Sequence, residues 1–226
     1  TDCPRDRGPR RPVAPMNPAS RIPSAARACP DSRTDADVLR IRRMAASGLT
    51  SAIVAMSMIA APAHATEFTA DPGSYAPLLR GLQAGDSLLL APGVYRDGLR
   101  VHNLVGTAAA PIRIRAADPT RRPLFIARPG ANTVSLVDVD YVEIADLGLD
   151  GLGIPVDAVK AEGHARFAHH VTLERLRIVN HGRHRLNVAI STKCPAWGWV
   201  IRDNEIHRAG TGLYLGNSDG RAPFVG

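Results

Sequence analysis

Several cationic and polar side chains late in the sequence have residue types and spacing that could recognise an anionic ligand. His184, Arg185, Asn187 and Lys193 fall within one short stretch, and Tyr214 follows in the next repeat. Lys and Arg bind carboxylates through charge-assisted hydrogen bonds, and amide and hydroxyl groups add donors and acceptors. Together they would suit an acidic sugar polymer. The simpler alternatives are a solvated lysine at a corner of the fold and histidines that bond to their own loop.

Residues of the types that bind metals give a weaker pattern. Asp138 and Asp140 stand two positions apart and could offer oxygen ligands to calcium, but they define no third ligand. We therefore interpret them as a solvated strand edge. His169 and His170 directly precede a predicted strand, and we interpret them as a turn. The sequence assigns no metal ligand, and it leaves calcium open as a cofactor.

The candidate residues must be positioned by a repeat that begins at Val142. Three stretches follow one template of apolar positions, and their first residues are spaced by 29 and 28 residues. Alternating apolar and polar residues, rich in β-branched side chains, indicate strands rather than helices. The three stretches are Val142–Leu149, Val171–Ile178 and Trp199–Ile206.

A second, shorter strand recurs in step with the first. Its inward residues align as Val159, Val188 and Leu213, and its outward row as Lys160, Ala189 and Tyr214. Two strand types that repeat together every 25 to 29 residues are typical of a solenoid. Crossovers between parallel strands are nearly always right-handed. The sequence therefore predicts an all-β fold, a right-handed parallel β-helix.

The same register accounts for most charges on the predicted strands. It aligns Asp146, Arg175 and Asp203 in one column, and opposite charges on neighbouring strands favour the correct register. Asn204 takes an inward position at a bend, where we expect its amide to bond to the backbone of adjacent coils. Glu205 is likewise expected to pair rather than to bind a metal. The further predicted charge pairs are Glu174 with Arg202 and Arg177 with Glu205.

The net charge of +7 over 226 residues is concentrated near the start of the chain. Up to Ala65 there are 10 Arg and 5 Asp, whereas the rest carries 18 basic and 16 acidic residues. A nucleic-acid-binding protein needs a basic patch on its folded part, and the sequence shows none there. We therefore expect no nucleic-acid partner.

Composition divides the chain into three segments. Residues 1–43 are rich in Pro, Arg, Ala and Ser and are interpreted as a disordered or untranslated leader. Residues 44–65 form an apolar segment that ends in Ala63-His64-Ala65, which is typical of a secretory signal peptide. Residues 66–226 form the β-helix domain, with Cys194 as its single cysteine. We expect a secreted or periplasmic protein with no stable membrane anchor after signal cleavage.

Two motifs early in that domain carry a family resemblance. Leu82–Tyr95 and Gly106–Ala117 resemble the N-terminal portion of secreted right-handed parallel β-helix proteins, in particular the chondroitinase B and alginate lyase-like polysaccharide lyases and the related pectate lyase-like proteins. A short helix within Tyr75–Leu82 is expected to cap the open end of the solenoid. No closing coil precedes Gly226, so we expect C-terminal coils to be missing.

The resemblance implies β-elimination next to a uronic acid. In that chemistry Lys193 would be the base, Arg185 the carboxylate partner or a second base, and His184 the proton donor. Asn187 or Tyr214 would bind sugar. The expected partner is an acidic polysaccharide. Two alternatives stay open, a non-catalytic glycan-binding or structural module and a uronate C5-epimerase.

One aromatic residue extends the predicted substrate surface. Trp197 would be either a ring that stacks on a sugar or a plug at a corner of the coil. Its neighbour Trp199 falls in the inward row and is expected to be buried.

Overall fold

The computed structural model describes residues 65–163, 165–182, 184–216 and 224–225. This part of the chain contains one helix, α1 (Tyr75–Gly81). The strands are β1 (Glu67–Ala70), β2 (Ser87–Leu90), β3 (Val94–Tyr95), β4 (Leu99–His102), β5 (Ile112–Ala116), β6 (Leu124–Ile126), β7 (Val134–Val137), β8 (Val139–Ala145), β9 (Gly148–Asp150), β10 (Val159–Glu162), β11 (Ala168–Glu174), β12 (Arg177–Val179), β13 (Val188–Ser191), β14 (Ala196–Trp197), β15 (Val200–Arg202), β16 (Glu205–His207), β17 (Thr211–Tyr214) and β18 (Phe224–Val225).

These strands form a right-handed parallel β-helix, as predicted. Sheet A has the order β1-β2-β5-β8-β11-β15, sheet B β3-β6-β9-β12-β16 and sheet C β4-β7-β10-β13-β17. Successive coils add one parallel strand to each sheet, for example β8, β9 and β10 and then β11, β12 and β13. A further parallel pair joins β14 to β18.

The core is a set of apolar columns that run through the stacked coils. On sheet A, Leu88, Ile114, Ile144 and Leu173 lie in register from β2 to β11, and each is at most 1% exposed. Such a row is buried only when the neighbouring coils stack on it, which is why the sequence repeats the apolar positions.

The helix α1 closes one end of this core, as expected for a cap. Tyr75 packs edge-on against Tyr95 and Phe125, and its hydroxyl donates a hydrogen bond to the carbonyl of Gly98 at 2.6 Å. All three rings are at most 2% exposed. Burial raises the pKa of Tyr95 to about 12, so this hydroxyl stays neutral within the cap.

The predicted charge columns are confirmed, with one difference in the backbone. Arg175 Nε lies 2.7 Å from Asp146 Oδ1, Arg202 contacts Glu174 at 2.7 Å and Arg177 contacts Glu205 at 3.5 Å. Instead of one continuous strand, each coil breaks at the corner between sheets A and B. There Asp146, Arg175 and Asp203 adopt positive φ values of 61°, 51° and 56°.

The expected role of Asn204 is also confirmed. Its amide donates to the Leu173 carbonyl at 2.9 Å, and its Oδ1 accepts from the Leu176 amide at 2.8 Å. These two bonds connect adjacent coils at the corner.

The predicted alignment of sheet C is wrong by two residues. Val159 pairs with Ile190 rather than Val188, and Ile190 pairs with Leu213. The connection from sheet B to sheet C is two residues longer in the later coil. This follows from comparing the sheet B pair Asp150–Val179 with the sheet C pair Val159–Ile190. An even shift leaves each side chain facing the same way, so the apolar pattern alone could not reveal it.

The leader and the predicted signal peptide, through residue 64, lie outside the described residues. Within the described residues, no helix has the length and apolar character needed to cross a membrane. Cys194 is buried, and burial raises the pKa of its thiol. It therefore packs as a small apolar residue.

Candidate functional site

A cleft of about 690 Å³ lies between α1 and β4 and is lined by three arginines. We call it the arginine cleft and define it by Arg80, Arg100 and Arg128, with Asp97 and His102 also in its wall. Three guanidinium groups face one carboxylate, so the lining is cationic. None of these residues was among the sequence candidates.

Different elements bring the three arginines together. Arg80 lies in the last turn of α1. Arg100 projects outward from β4, where Leu99 and Val101 are buried, and Arg128 follows β6 in the next coil. The capping helix therefore forms one wall of the cleft and the first coils form the other.

The three arginines of this cleft have no carboxylate partner among the described residues. Among the described residues, Arg80, Arg100 and Arg128 form no ion pair, and the buried Arg128 Nε has no hydrogen-bond partner. A buried donor without an acceptor is costly, and a ligand carboxylate would satisfy it. The cleft is therefore suited to bind an anion.

Lys193, the predicted base, lies at a corner of the coil after β13. Its Nζ is 3.9 Å from Asp157 Oδ2, and Asp157 is buried and accepts a hydrogen bond from the Val188 amide. Within the described part of the chain, this ion pair involves neither Arg185 nor His184. The contact is long for an ion pair, and the Lys193 side chain is 33% exposed.

His184, Arg185 and Asn187 lie together in one turn. The Asn187 amide donates to the His184 carbonyl at 2.8 Å, and the Leu186 amide donates to His184 Nδ1 at 3.3 Å. Thr211 Oγ1 donates to the Arg185 carbonyl at 2.6 Å. Asn187 also lines a shallow depression together with Lys160 of the outward row.

The predicted outward row on sheet C is not continuous. Lys160 is half-buried and pairs with Glu162 at 2.7 Å, and Tyr214 is 38% exposed on β17. Between them, Ala189 and Ser191 on β13 are fully buried. The prediction of one open face through Lys160, Ala189 and Tyr214 is therefore wrong at β13.

Trp199 is buried as predicted, and its indole donates to the Ala168 carbonyl at 2.8 Å. Trp197 is 36% exposed and stacks on His169, with ring centroids 4.3 Å apart. An exposed ring stays available to a sugar, but its inner face is occupied by the histidine.

Asp140, His169 and His170 form a second group of functional side chains, at the corner between sheets C and A. His169 Nδ1 lies 2.8 Å from Asp140 Oδ1 and 2.9 Å from His170 Nδ1. His170 Nδ1 is 3.4 Å from the same carboxylate oxygen. Burial lowers the pKa of His169 despite the nearby Asp140 charge, so the imidazole is neutral at neutral pH.

The positions of these residues contradict two interpretations that we made from the sequence. Both histidines lie inside β11 rather than in a turn, with His170 in the left-handed region at φ 50°. Asp138 and Asp140 are not a solvated edge, because Asp138 is 7% exposed and Oδ1 of Asp140 is buried. Asp138 instead accepts hydrogen bonds from the Arg166 and Phe167 amides.

The repeat spacing could have revealed the group. Asp140 is in register with His169, which places the two side chains on adjacent coils. Asp140, His169 and Trp197 are spaced by 29 and 28 residues, the same spacing as in the template. The template began at Val142, two residues too late to include them.

No protein-family model matches the sequence, and no curated protein sequence is similar to it. An alginate lyase from Paenibacillus sp. str. FPU-7 matches the fold with a TM-score of 0.50 and 18% identity, over 62% of this chain and 44% of that one. A PL6 family alginate lyase gives 0.50 and 17%, over 62% and 19%. A GH136 lacto-N-biosidase from Eubacterium ramulus gives 0.50 and 17%, over 66% and 36%.

These matches establish that the chain shares the parallel β-helix fold of those proteins. The chain spans less than half the length of each of the three structures. At 17–18% identity the likeness concerns the fold, and function must be argued from the side chains.

Proposed function

We propose that this chain is part of a secreted or periplasmic carbohydrate-active protein that binds uronate-containing polysaccharides and cleaves them by β-elimination. The observation that carries the proposal is the arginine cleft, where three guanidinium groups lack carboxylate partners among the described residues. Guanidinium groups bind carboxylates in a planar, bidentate geometry. Each uronate unit of a polymer offers one such carboxylate.

The fold supports the same substrate class. Two of the three structures named above are alginate lyases, whose named substrate is an acidic polysaccharide. A β-helix presents its side chains in parallel rows with a spacing of about 4.8 Å between coils, so it can contact an extended polymer at several points.

The proposed reaction requires neutralisation of the uronate carboxylate. Pairing with arginine makes the C5 proton more acidic, and a base then removes it. The electron pair of the C5–H bond forms the C4=C5 double bond, the C4–O bond breaks, and the leaving oxygen takes up a proton. Lys193 remains the predicted base, and Arg185 the predicted partner of the reacting carboxylate. Because Lys193 follows β13, three strands from β4 in sheet C, the arginine cleft would hold another uronate unit of the same polymer.

Binding is tested with the full chain and oligomers of alginate, pectate and chondroitin sulfate. Arg100→Gln or Arg128→Gln should weaken binding roughly 10-fold to 100-fold, because each removes a charge-assisted hydrogen bond. Arg177→Gln is the matched control, since this exposed arginine pairs with Glu205 away from the cleft. Equal losses in all three variants would refute the assignment of the cleft.

Catalysis is tested separately by the ultraviolet absorbance of the unsaturated uronate product, with and without calcium. A rise that Lys193→Ala abolishes would support both the lyase and the base assignment. Binding without any rise would favour the glycan-binding module. A change in uronate stereochemistry without an unsaturated product, followed by NMR, would favour the epimerase.

A further inference from the structure

Asp140, His169 and His170 are not used by the proposed glycan cleft, and their geometry points to another ligand. We propose that they form a binding site for a first-row transition-metal dication such as Zn²⁺ or Fe²⁺. The ligand atoms are Asp140 Oδ1, His169 Nδ1 and His170 Nδ1. The site does not depend on the proposed glycan function.

The spacing of the three atoms matches one coordination sphere. They are 2.8, 2.9 and 3.4 Å apart. Ligands at zinc–nitrogen and zinc–oxygen distances in a tetrahedral site are about 3.3 Å apart, so only small side-chain shifts are needed. The three atoms are thus close enough to share one cation.

Hydrogen bonding within the cluster does not account for this convergence. Asp140 Oδ1 is buried and accepts no hydrogen bond of acceptable geometry within the described residues, although His169 Nδ1 is only 2.8 Å away. The two Nδ1 atoms can share one proton, and the carboxylate is then left without a donor. A single cation would satisfy all three atoms together.

Aromatic packing holds both imidazoles in position. His169 stacks on Trp197 at 4.3 Å and 15°, and His170 stacks on Tyr141 at 4.3 Å and 6°. His170 also lies close to Gly198, where an added Cβ would be 2.5 Å from the ring. Gly198 has φ 65°, so two independent features favour glycine there. Ligands with fixed rings lose little freedom when a metal binds.

The donor set selects the class of ion. Two imidazoles and one carboxylate suit zinc, iron, cobalt and nickel, whereas calcium and magnesium prefer oxygen ligands. Asp140 lies on β8 and both histidines lie on β11, so the ion would connect two adjacent coils. Three protein ligands leave at least one coordination position for water or for an oxygen of a bound molecule.

The site is tested by titrating the chelator-treated full chain with Zn²⁺ alone, with Ca²⁺ as the hard-ion control. The wild type should bind one tight equivalent of Zn²⁺, and Ca²⁺ should not compete. Asp140→Asn, His169→Gln and His170→Gln should each weaken that equivalent about 100-fold or more, since loss of a supporting residue alone costs 10-fold to 100-fold. Zn²⁺ at one hundred times its Kd should raise the Tm by roughly 5–10 °C.

His207→Gln is the matched control, because His207 is also an imidazole beside a carboxylate, 2.7 Å from Glu205, but is exposed. This variant should bind the tight equivalent of Zn²⁺ as the wild type does.

A second measurement uses no variant of a metal ligand, so it does not depend on whether such variants fold. Co²⁺ bound to the wild type should quench the fluorescence of Trp197, and Trp197→Phe should remove most of that quenching.

Three results would overturn the proposal. The first is that the wild type binds Zn²⁺ no more tightly than the Asp140→Asn and His170→Gln variants. The second is that His207→Gln weakens Zn²⁺ binding as much as those two variants do. The third is that Co²⁺ binds without quenching the fluorescence of Trp197.

Discussion

Arginines occupy two regions of this molecule in opposite surroundings. On the sheet A side, Arg113, Arg175 and Arg202 each meet a carboxylate of a neighbouring coil, whereas the arginine cleft holds three arginines that form no ion pair among the described residues. Paired charges fix which residues of adjacent coils lie opposite each other. Clustered like charges fix no such register, and in the proposed function the unpaired arginines serve to bind a carboxylate. The pairs on the sheet A side are Arg113–Glu143 at 2.9 Å, Arg175–Asp146 at 2.7 Å and Arg202–Glu174 at 2.7 Å.

The largest expected effect is on stability, and it concerns the paired charges at the corner of sheet A. Asp146→Ala should lower the free energy of unfolding by about 1–3 kcal/mol more than Asp203→Ala, because Asp146 is buried and accepts two hydrogen bonds from Arg175. Both aspartates have positive φ, so the backbone strain of alanine cancels in the comparison. Denaturant unfolding measures the difference. Equal losses would mean that the ion pair contributes nothing beyond the backbone.

A smaller effect should appear in the cleft, this time on affinity. Asp97 is the acidic residue of the lining, so Asp97→Asn should strengthen oligouronate binding about threefold by removing a like charge. Glu67→Gln removes the same charge near Arg115, with which Glu67 pairs at 3.7 Å, and should not change the affinity. Isothermal titration calorimetry distinguishes the two. Weaker binding by Asp97→Asn would contradict the cleft assignment.

The smallest effect concerns an exposed pair on sheet B. A hydrogen bond from His207 holds the pKa of Glu205 below its usual value of 4.5. A carboxyl group with a lowered folded-state pKa stabilises the fold above pH 4.5, and this contribution is lost as the pH falls through the lowered value. The Tm difference between the wild type and Glu205→Gln should therefore shrink below about pH 4.5. Arg100→Gln, which leaves the Glu205 carboxyl in place, should show no such trend; a constant difference for Glu205→Gln would exclude the linkage.

Sheets A and B were predictable because their inward residues recur at a constant spacing. Leu173 and Ile178 follow Ile144 and Leu149 by 29 residues, and each pair is in register in the structure. Sheet C was less predictable, since the corner before β13 is longer by two residues and the apolar alternation survives that shift. Repeat spacing reports coil length, and it does not report how that length is divided between strand and corner.

Neither the arginine cleft nor the cluster of Asp140, His169 and His170 was predicted from the sequence, and the physical reasons differ. The arginine cleft combines Arg80 of the capping helix with Arg128 of a later coil, and no repeat relates these positions. Asp140 and His169 do follow the repeat, but they adjoin Tyr141 and His170, whose positive φ values have no signature in residue type. Conversely, the residues predicted to act with Lys193 were grouped because they are close in sequence. The sequence does not show that Lys193 pairs with Asp157.

The most direct test of the account compares one oligouronate with its carboxyl-reduced, neutral counterpart as ligands for the full chain. The arginine cleft predicts measurable binding of the acidic oligomer, loss of most of that affinity in Arg128→Gln, and at least about 10-fold weaker binding of the neutral oligomer. Equal affinity for both oligomers, or binding that survives in Arg100→Gln and Arg128→Gln alike, would contradict the claim that unpaired arginines recognise the polymer.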